Sequence, residues 1–192
     1  MGKDKKRRKV PKVQKPRKNN VDLGREDQTL NPNGVVFDLS FEFLFWLINE
    51  NKFFNKCMNE IHFIEATMSM HEIIYKLSGK SSNELFRNGG FRHCHKLENE
   101  QRKIAIEAIT RAIIESGKTK NDAEEIADHL LGSENLYQAG YDKGARVIGT
   151  LEKDEVFRIL LLDFHHQIFP DEKKNKLNEK RCVYSPMQKR TK

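Results

Sequence analysis

Cysteine is scarce and scattered in this chain. Cys57, Cys94 and Cys182 are its three, and no two stand in a Cys-x-x-Cys pair. An odd number at wide spacing argues against a disulfide framework and against a zinc site of cysteines alone, and favours a reducing compartment. Long apolar runs are missing too. The longest, near 41–48, is interrupted by Glu42 and falls well short of the ~20 residues of a spanning helix. The charged start, with no apolar stretch, predicts no signal peptide. Lys6 stands where N-myristoylation needs Ser or Thr. These absences predict a soluble intracellular protein with no membrane partner, cytoplasmic, or nuclear if the source is eukaryotic. No Walker phosphate loop, glycine-rich dinucleotide fingerprint, His-Glu-x-x-His or serine-hydrolase elbow occurs. Nucleotide hydrolysis, dinucleotide binding and triad hydrolysis therefore have no support.

Charge is plentiful but uneven. Residues 1–20 carry ten Lys/Arg and one acid, and residues 171–192 carry eight and three. The chain's formal charge of +7 therefore leaves 21–170 at −7. The pI of about 9.2 thus describes the tails. Tails of this kind attract phosphate loosely and in a salt-dependent way. The sequence predicts a disordered basic tail over 1–33, one domain over 34–170 and a basic C-terminal tail over 171–192. Lys5, Lys6, Arg7, Arg8 and Lys9 are the candidate nucleic-acid-binding residues of the first tail. Their run resembles a nuclear import signal and equally suits a generic polycation that sticks to RNA.

Within the domain, apolar residues alternate over 35–43, which predicts a strand. A helical period follows over 53–77, with Cys57, Ile61, Ile64 and Met68 on one line, continued by Met70, Ile73, Ile74 and Leu77. A short strand over 91–97, a helix over 98–116 and a helix over 122–131, capped by Thr119 or Asn121, come next. Strands over 136–141, 146–151 and 155–163 close the domain, the first two joined at Asp142-Lys143-Gly144. The predicted class is α+β: an antiparallel sheet, made of a C-terminal three-stranded meander plus the N-terminal strand, packed with two to three helices.

Two polar clusters carry the candidate chemistry, Arg92-His93-Cys94-His95 and Asp163-Phe164-His165-His166. The second leaves the most apolar strand of the chain. With Arg146 and Arg158 they make a candidate catalytic set of Arg92, His95, Arg146, Arg158, Asp163 and His166. Imidazoles exchange protons near neutrality, and guanidinium groups offset the charge that grows on a phosphate under attack. His93, His95, His166 and Asp163 also suit a transition metal by ligand type, but their spacing is not diagnostic, and the preferred reading has no metal and no cofactor. A plain strand-end cap and surface ion pairs would equally account for these residues. So would an RNA grip without a reaction.

Arg146-Val147-Ile148-Gly149, followed by Val156-Phe157-Arg158-Ile159-Leu160 and Leu162-Asp163-Phe164-His165-His166, resembles the C-terminal half of a group of small uncharacterised prokaryotic proteins. In that group an Arg-x-x-Gly strand precedes a Leu-Asp-x-x-His strand, and an earlier Arg-x-His element corresponds to Arg92 or His93 with His95. The resemblance covers 34–170 loosely and 145–170 best. More distantly, helices leading into a meander with basic residues and a late His resemble the RelE/ParE toxin superfamily, whose messenger-RNA-cleaving members bind the ribosome. That resemblance implies Arg146 and Arg158 as phosphate-stabilising groups and His166 as acid or base. The helical insert over 98–131, the acidic core and Phe169 in place of a late Tyr depart from it. The expected function is an RNA-directed toxin or phage-defence-type protein, a metal-independent ribonuclease acting on messenger RNA at the ribosome, with an antitoxin protein as a further partner. The alternative is a non-catalytic RNA- or ribosome-associated module.

Overall fold

A computed structural model of the chain describes residues 34–46, 48–50, 53–87, 91–132, 134–141, 145–170 and 172–185. The basic run Lys5, Lys6, Arg7, Arg8 and Lys9 lies outside them, as does the expected turn at Asp142-Lys143-Gly144.

The longest strand, β7 (Val156–Asp163), is the spine of the fold. From Ile159 onward every residue of it is buried, so alternation gives way to burial on both faces. β6 (Arg146–Leu151) pairs antiparallel with β7, β5 (Leu136–Ala139) with β6, and β4 (His95–Lys96) with β5. β1 (Val36–Asp38) lies on the other side of β7 and runs parallel to it. The sheet is therefore mixed and mostly antiparallel, in the order β1-β7-β6-β5-β4. The alternation over 35–43 carries no information about direction, which is why it predicts a fully antiparallel sheet wrongly. That strand is also cut short. The Asp38 carboxylate accepts the Ser40 N–H at 2.8 Å and its hydroxyl at 2.9 Å, which turns the chain off the sheet.

A separate antiparallel pair, β2 (Asn49–Glu50) with β3 (Phe53–Phe54), precedes the first helix. Buried Asn55 ties it down: its amide donates to the Leu162 carbonyl at 3.4 Å, and its side-chain oxygen accepts the Ile48 N–H. Among the described residues there are five α-helices: α1 (Glu60–Leu77), α2 (Ser82–Phe86), α3 (Asn99–Glu115), α4 (Lys120–Leu131) and α5 (Glu172–Arg181). The count exceeds the two or three read from the sequence. α1 starts at Glu60 because Asn59 caps it, accepting the His62 N–H at 2.9 Å. It buries Ala66, Met70, Ile73 and Leu77, while Ile61, Ile64 and Met68 stay exposed. Both apolar lines have helical period, so periodicity alone selects the wrong one for its first turns. Thr119, not Asn121, caps α4, accepting the Asp122 N–H at 3.2 Å.

The stretch from 172 to 185 is folded rather than an unpaired tail. α5 is polar almost throughout, so it leaves no apolar signal in the sequence. Backbone pairing anchors it: Cys57 and Tyr184 exchange N–H···O bonds of 3.1 and 2.8 Å, and Cys182 and Ser185 are buried beside them. No helix among the described residues is long and apolar enough to cross a membrane.

One glycine sets how β6 and β7 meet. Ile148 faces Leu161 but Gly149 faces Ile159, so Leu160 is the extra residue of a bulge. A Cβ on Gly149 would overlap the Arg158 carbonyl and meet the Phe157 ring at 3.1 Å. The obstacle is backbone and cannot rotate away. Gly149→Ala is expected to cost about 3 kcal/mol or more, as much as a Leu160→Ala cavity at ~2–5 kcal/mol. Urea unfolding checks it, and a loss below ~1 kcal/mol would show that the bulge relaxes.

Candidate functional site

The end of β7 is built around Asp163, which is completely buried. Its carboxylate accepts the backbone N–H groups of His165 (3.2 Å), Gln167 (2.9 Å) and Ile168 (3.0 Å). The turn this closes holds His166 at φ +57°, a left-handed conformation costly for a side chain of this kind. Asp163 is thus a positioning residue rather than a proton acceptor, because both its oxygens are engaged.

The two adjacent histidines part at this turn. His165 is buried. Its Nε2 lies 2.8 Å from the Lys56 carbonyl, and Nδ1 lies 3.5 Å from the Asn178 amide nitrogen. Its ring stacks at an angle on His62, 5.7 Å away. That arrangement suits a neutral imidazole with its proton on Nε2. His165 therefore links β7 to the segment before α1 and to α5. His166 comes within electrostatic reach of His93 as well as of His165.

Arg146 faces Asp163 across the strand pair. Its side chain is buried, with Nη1 donating to the Ala145 carbonyl at 3.0 Å. It passes over Gly140 at the end of β5, where a Cβ would meet its Cδ at 2.5 Å and its Nε at 2.8 Å. The missing side chain at 140 opens the path that carries the guanidinium toward β4. There it raises the cost of charging His93 and His95. Burial, first, and the Arg146 charge, second, hold both imidazoles below their ordinary value of 6.5. Arg92 and His166 add to the effect at His93. Between them Cys94 is buried, its Sγ 3.5 Å from the Gly140 carbonyl, and burial pushes its thiol up. That makes it an inert core residue rather than a nucleophile. The His95 ring meets Phe169 edge-on at 5.1 Å, and its buried Nε2 has no hydrogen-bond partner among the described residues.

The fold thus brings together Arg92, His93, His95, Arg146 and His166, with Asp163 beneath them. Of the second His cluster, His166 comes within electrostatic reach of His93 in the first, while His165 is engaged with Lys56 and Asn178 instead. Arg158 does not join them. Register sets it opposite Thr150 at the other end of β7, about 16 Å along the strand from Asp163. It bonds Asp38 at 3.0 Å and Glu152 at 2.9 Å, so it is an ion-pair anchor between β1 and the β6–β7 connection. Of the three residues that the RelE/ParE resemblance brings forward, Arg146 and His166 stand in the cluster and Arg158 outside it. Gly140 is not legible as a site residue in the sequence, whereas Phe169 is, as the aromatic that follows the strand-end cluster. A glycine two places before a turn is an ordinary strand end until its partner across the sheet is known to be an arginine. Among the described residues, no three His, Cys, Asp or Glu side chains gather in a way that would hold a metal.

A model of the family described as "Uncharacterised protein UU032" matches residues 40–192. The chain belongs to the UU032 family. No curated protein and no solved structure matches it. The match in this UU032-family chain takes in β2 to α5 and every member of the cluster, and it includes the C-terminal segment that the structure folds back on Cys57.

The depressed histidines fix a sign for the pH dependence. In the unfolded chain His93, His95 and His165 take up protons as pH falls through 6.5, whereas the folded protein resists until lower pH. The unfolded state then binds more protons, so stability is fully present above 6.5 and is lost as pH descends below it. The urea midpoint is expected to fall between about pH 7.5 and pH 5.5, and His165→Gln to flatten that fall. A midpoint that holds or rises over the same range would contradict the burial of these rings.

Proposed function

We propose that this protein acts on RNA, using the Arg146, His93, His95 and His166 cluster to bind and cleave a phosphodiester without a metal. The observation that carries the reading is the grouping, at one end of strands β4, β6 and β7, of three imidazoles and a buried guanidinium. The cluster is rich in hydrogen-bond donors and has one unpartnered buried nitrogen. An anionic oxygen suits such a place. His93, held neutral near pH 7, takes the proton from the ribose hydroxyl next to the phosphate. The oxygen so released attacks phosphorus, Arg146 offsets the charge on the phosphorane, and His166 delivers a proton to the departing oxygen. Phe169 and Tyr141, both exposed near the cluster, suit unpaired bases. An RNA-directed toxin or defence-type role at the ribosome is the setting in which such an activity would be used. It rests on the RelE/ParE resemblance alone.

A binding-only reading is favoured by one fact: Arg146 is only 4% exposed, which restricts its approach to a phosphate. Cleavage of a single-stranded RNA decides between the two. The wild type is expected to cleave, and His166→Ala and His93→Gln to lose about 10²–10⁴-fold in rate with little loss of melting temperature. Arg146→Lys keeps the charge but loses the planar fork, and is expected to lose about tenfold or more. Binding without cleavage by the wild type would establish the module reading instead. Loss of neither binding nor cleavage in these variants would place the site elsewhere.

The basic run makes a separate contribution. Changing Lys5, Lys6, Arg7, Arg8 and Lys9 to glutamine in the full chain is expected to weaken RNA binding. It should also reduce the slope of log affinity against log salt, by roughly 0.7 for each phosphate of a single strand that the run no longer neutralises. An unchanged slope in a salt titration would show that the run does not touch RNA.

A further inference from the structure

α3, α4 and the β2–β3 pair enclose a cavity of about 460 Å³, away from the Arg/His cluster. Its floor is apolar and set in the core: Ile48, Phe53, Ile104 and Ala108 are all buried. Its rim is acidic. Glu107, Glu124 and Asp128 stand there against one cation among the described residues, Arg111, and Arg111 is committed to Glu115 through Nε at 3.1 Å and Nη2 at 2.9 Å. Lys103 approaches Glu107 at 4.0 Å and Lys120 approaches Glu124 at 3.7 Å. Both are exposed pairs along one helix, which bind weakly. Glu124 and Asp128 are four residues apart on α4, so their carboxylates share one side of the opening.

A cavity of this size lies within the ~300–1,000 Å³ typical of small-ligand sites. The acidic rim repels phosphate, so this is not a second place for RNA. We propose that the cavity binds an organic cation with an apolar body, its ammonium between Glu124 and Asp128 and its body on Phe53 and Ile104. The recessed floor takes a compact group from three sides, and the rim selects its charge. The chain's own basic run offers charge as well, but the apolar side chains that follow it, Val10, Pro11 and Val13, are small.

Calorimetric titration of the full chain with phenylbutylamine, phenylbutanol and phenylbutyrate tests this, since the three share a body and differ in charge. The amine is expected to bind at least about tenfold tighter than the acid, with the alcohol between. Glu124→Gln with Asp128→Asn should lower amine affinity about fivefold or more and leave the alcohol unchanged, with the melting temperature preserved because both carboxylates are at the surface. Ala108→Met should plug the floor and weaken all three ligands. Equal affinity for amine and acid, or amine binding unmoved by the rim variant, overturns the proposal. So does absence of binding. Binding that emerges only when Lys5, Lys6, Arg7, Arg8 and Lys9 become glutamine would show the chain's own segment as occupant. A dimer in sedimentation that the amine dissociates would show a second copy there.

Discussion

A strand buried on both faces has no place for a polar side chain except at its ends, and β7 obeys that constraint. Between Ile159 and Leu162 it offers only aliphatic groups, all of them buried. Its polar residues are pushed to the two exits. At one, Arg158 reaches out to Asp38 and Glu152. At the other, Asp163 stays inside, and a buried carboxylate must find donors or incur a large desolvation cost. It finds them in the backbone N–H groups of His165, Gln167 and Ile168. The turn that results is a by-product of satisfying one anion, and it separates His165 from His166.

The same economy of space shapes the neighbouring strands. Gly149 lets β6 lie against the bulged backbone of β7, and Gly140 lets Arg146 cross β5. Each absent side chain admits a particular group: a carbonyl in one case, a guanidinium in the other. The outcome is two polar sites built from different residues. Imidazoles and a guanidinium gather where β4, β6 and β7 end, whereas the carboxylates of α3 and α4 rim a cavity elsewhere. A single pI conceals this arrangement, because the balance over the whole chain is dominated by its basic ends.

How much of this is legible in the sequence differs from element to element. β6 and β7 are, because short apolar runs ending in Arg, Asp and His are bounded by polar turns. α3 and α4 are too, because one apolar face and their stop glycines agree. The direction of β1 is not, since alternation reads the same for parallel and antiparallel neighbours. Nor is the buried face of α1, where Ile61, Ile64 and Met68 have the same period as the line that meets the sheet. α5 is invisible for the opposite reason, having almost no apolar side chains to count. In the candidate site the residue types are readable and their company is not. Arg146 and Arg158 look alike in the sequence, and only register sends one to the cluster and the other to an ion pair.

The parallel pairing of β1 with β7 sets Val36 against Val156 and Phe37 against Phe157, 120 residues further on. A polypeptide emerges from the ribosome in order, at roughly 5–20 residues per second, so β1 waits about 6–24 s for its partner to be made. During that interval Val35 and Phe37 have no sheet to join. Closing a loop of this length also carries an entropic cost of about 4 kcal/mol, met only when the last strand arrives. β1 therefore cannot take its place in the sheet before β7 has been made. A nascent chain of this design is most exposed to wrong partners at its beginning, for as long as its end is unmade.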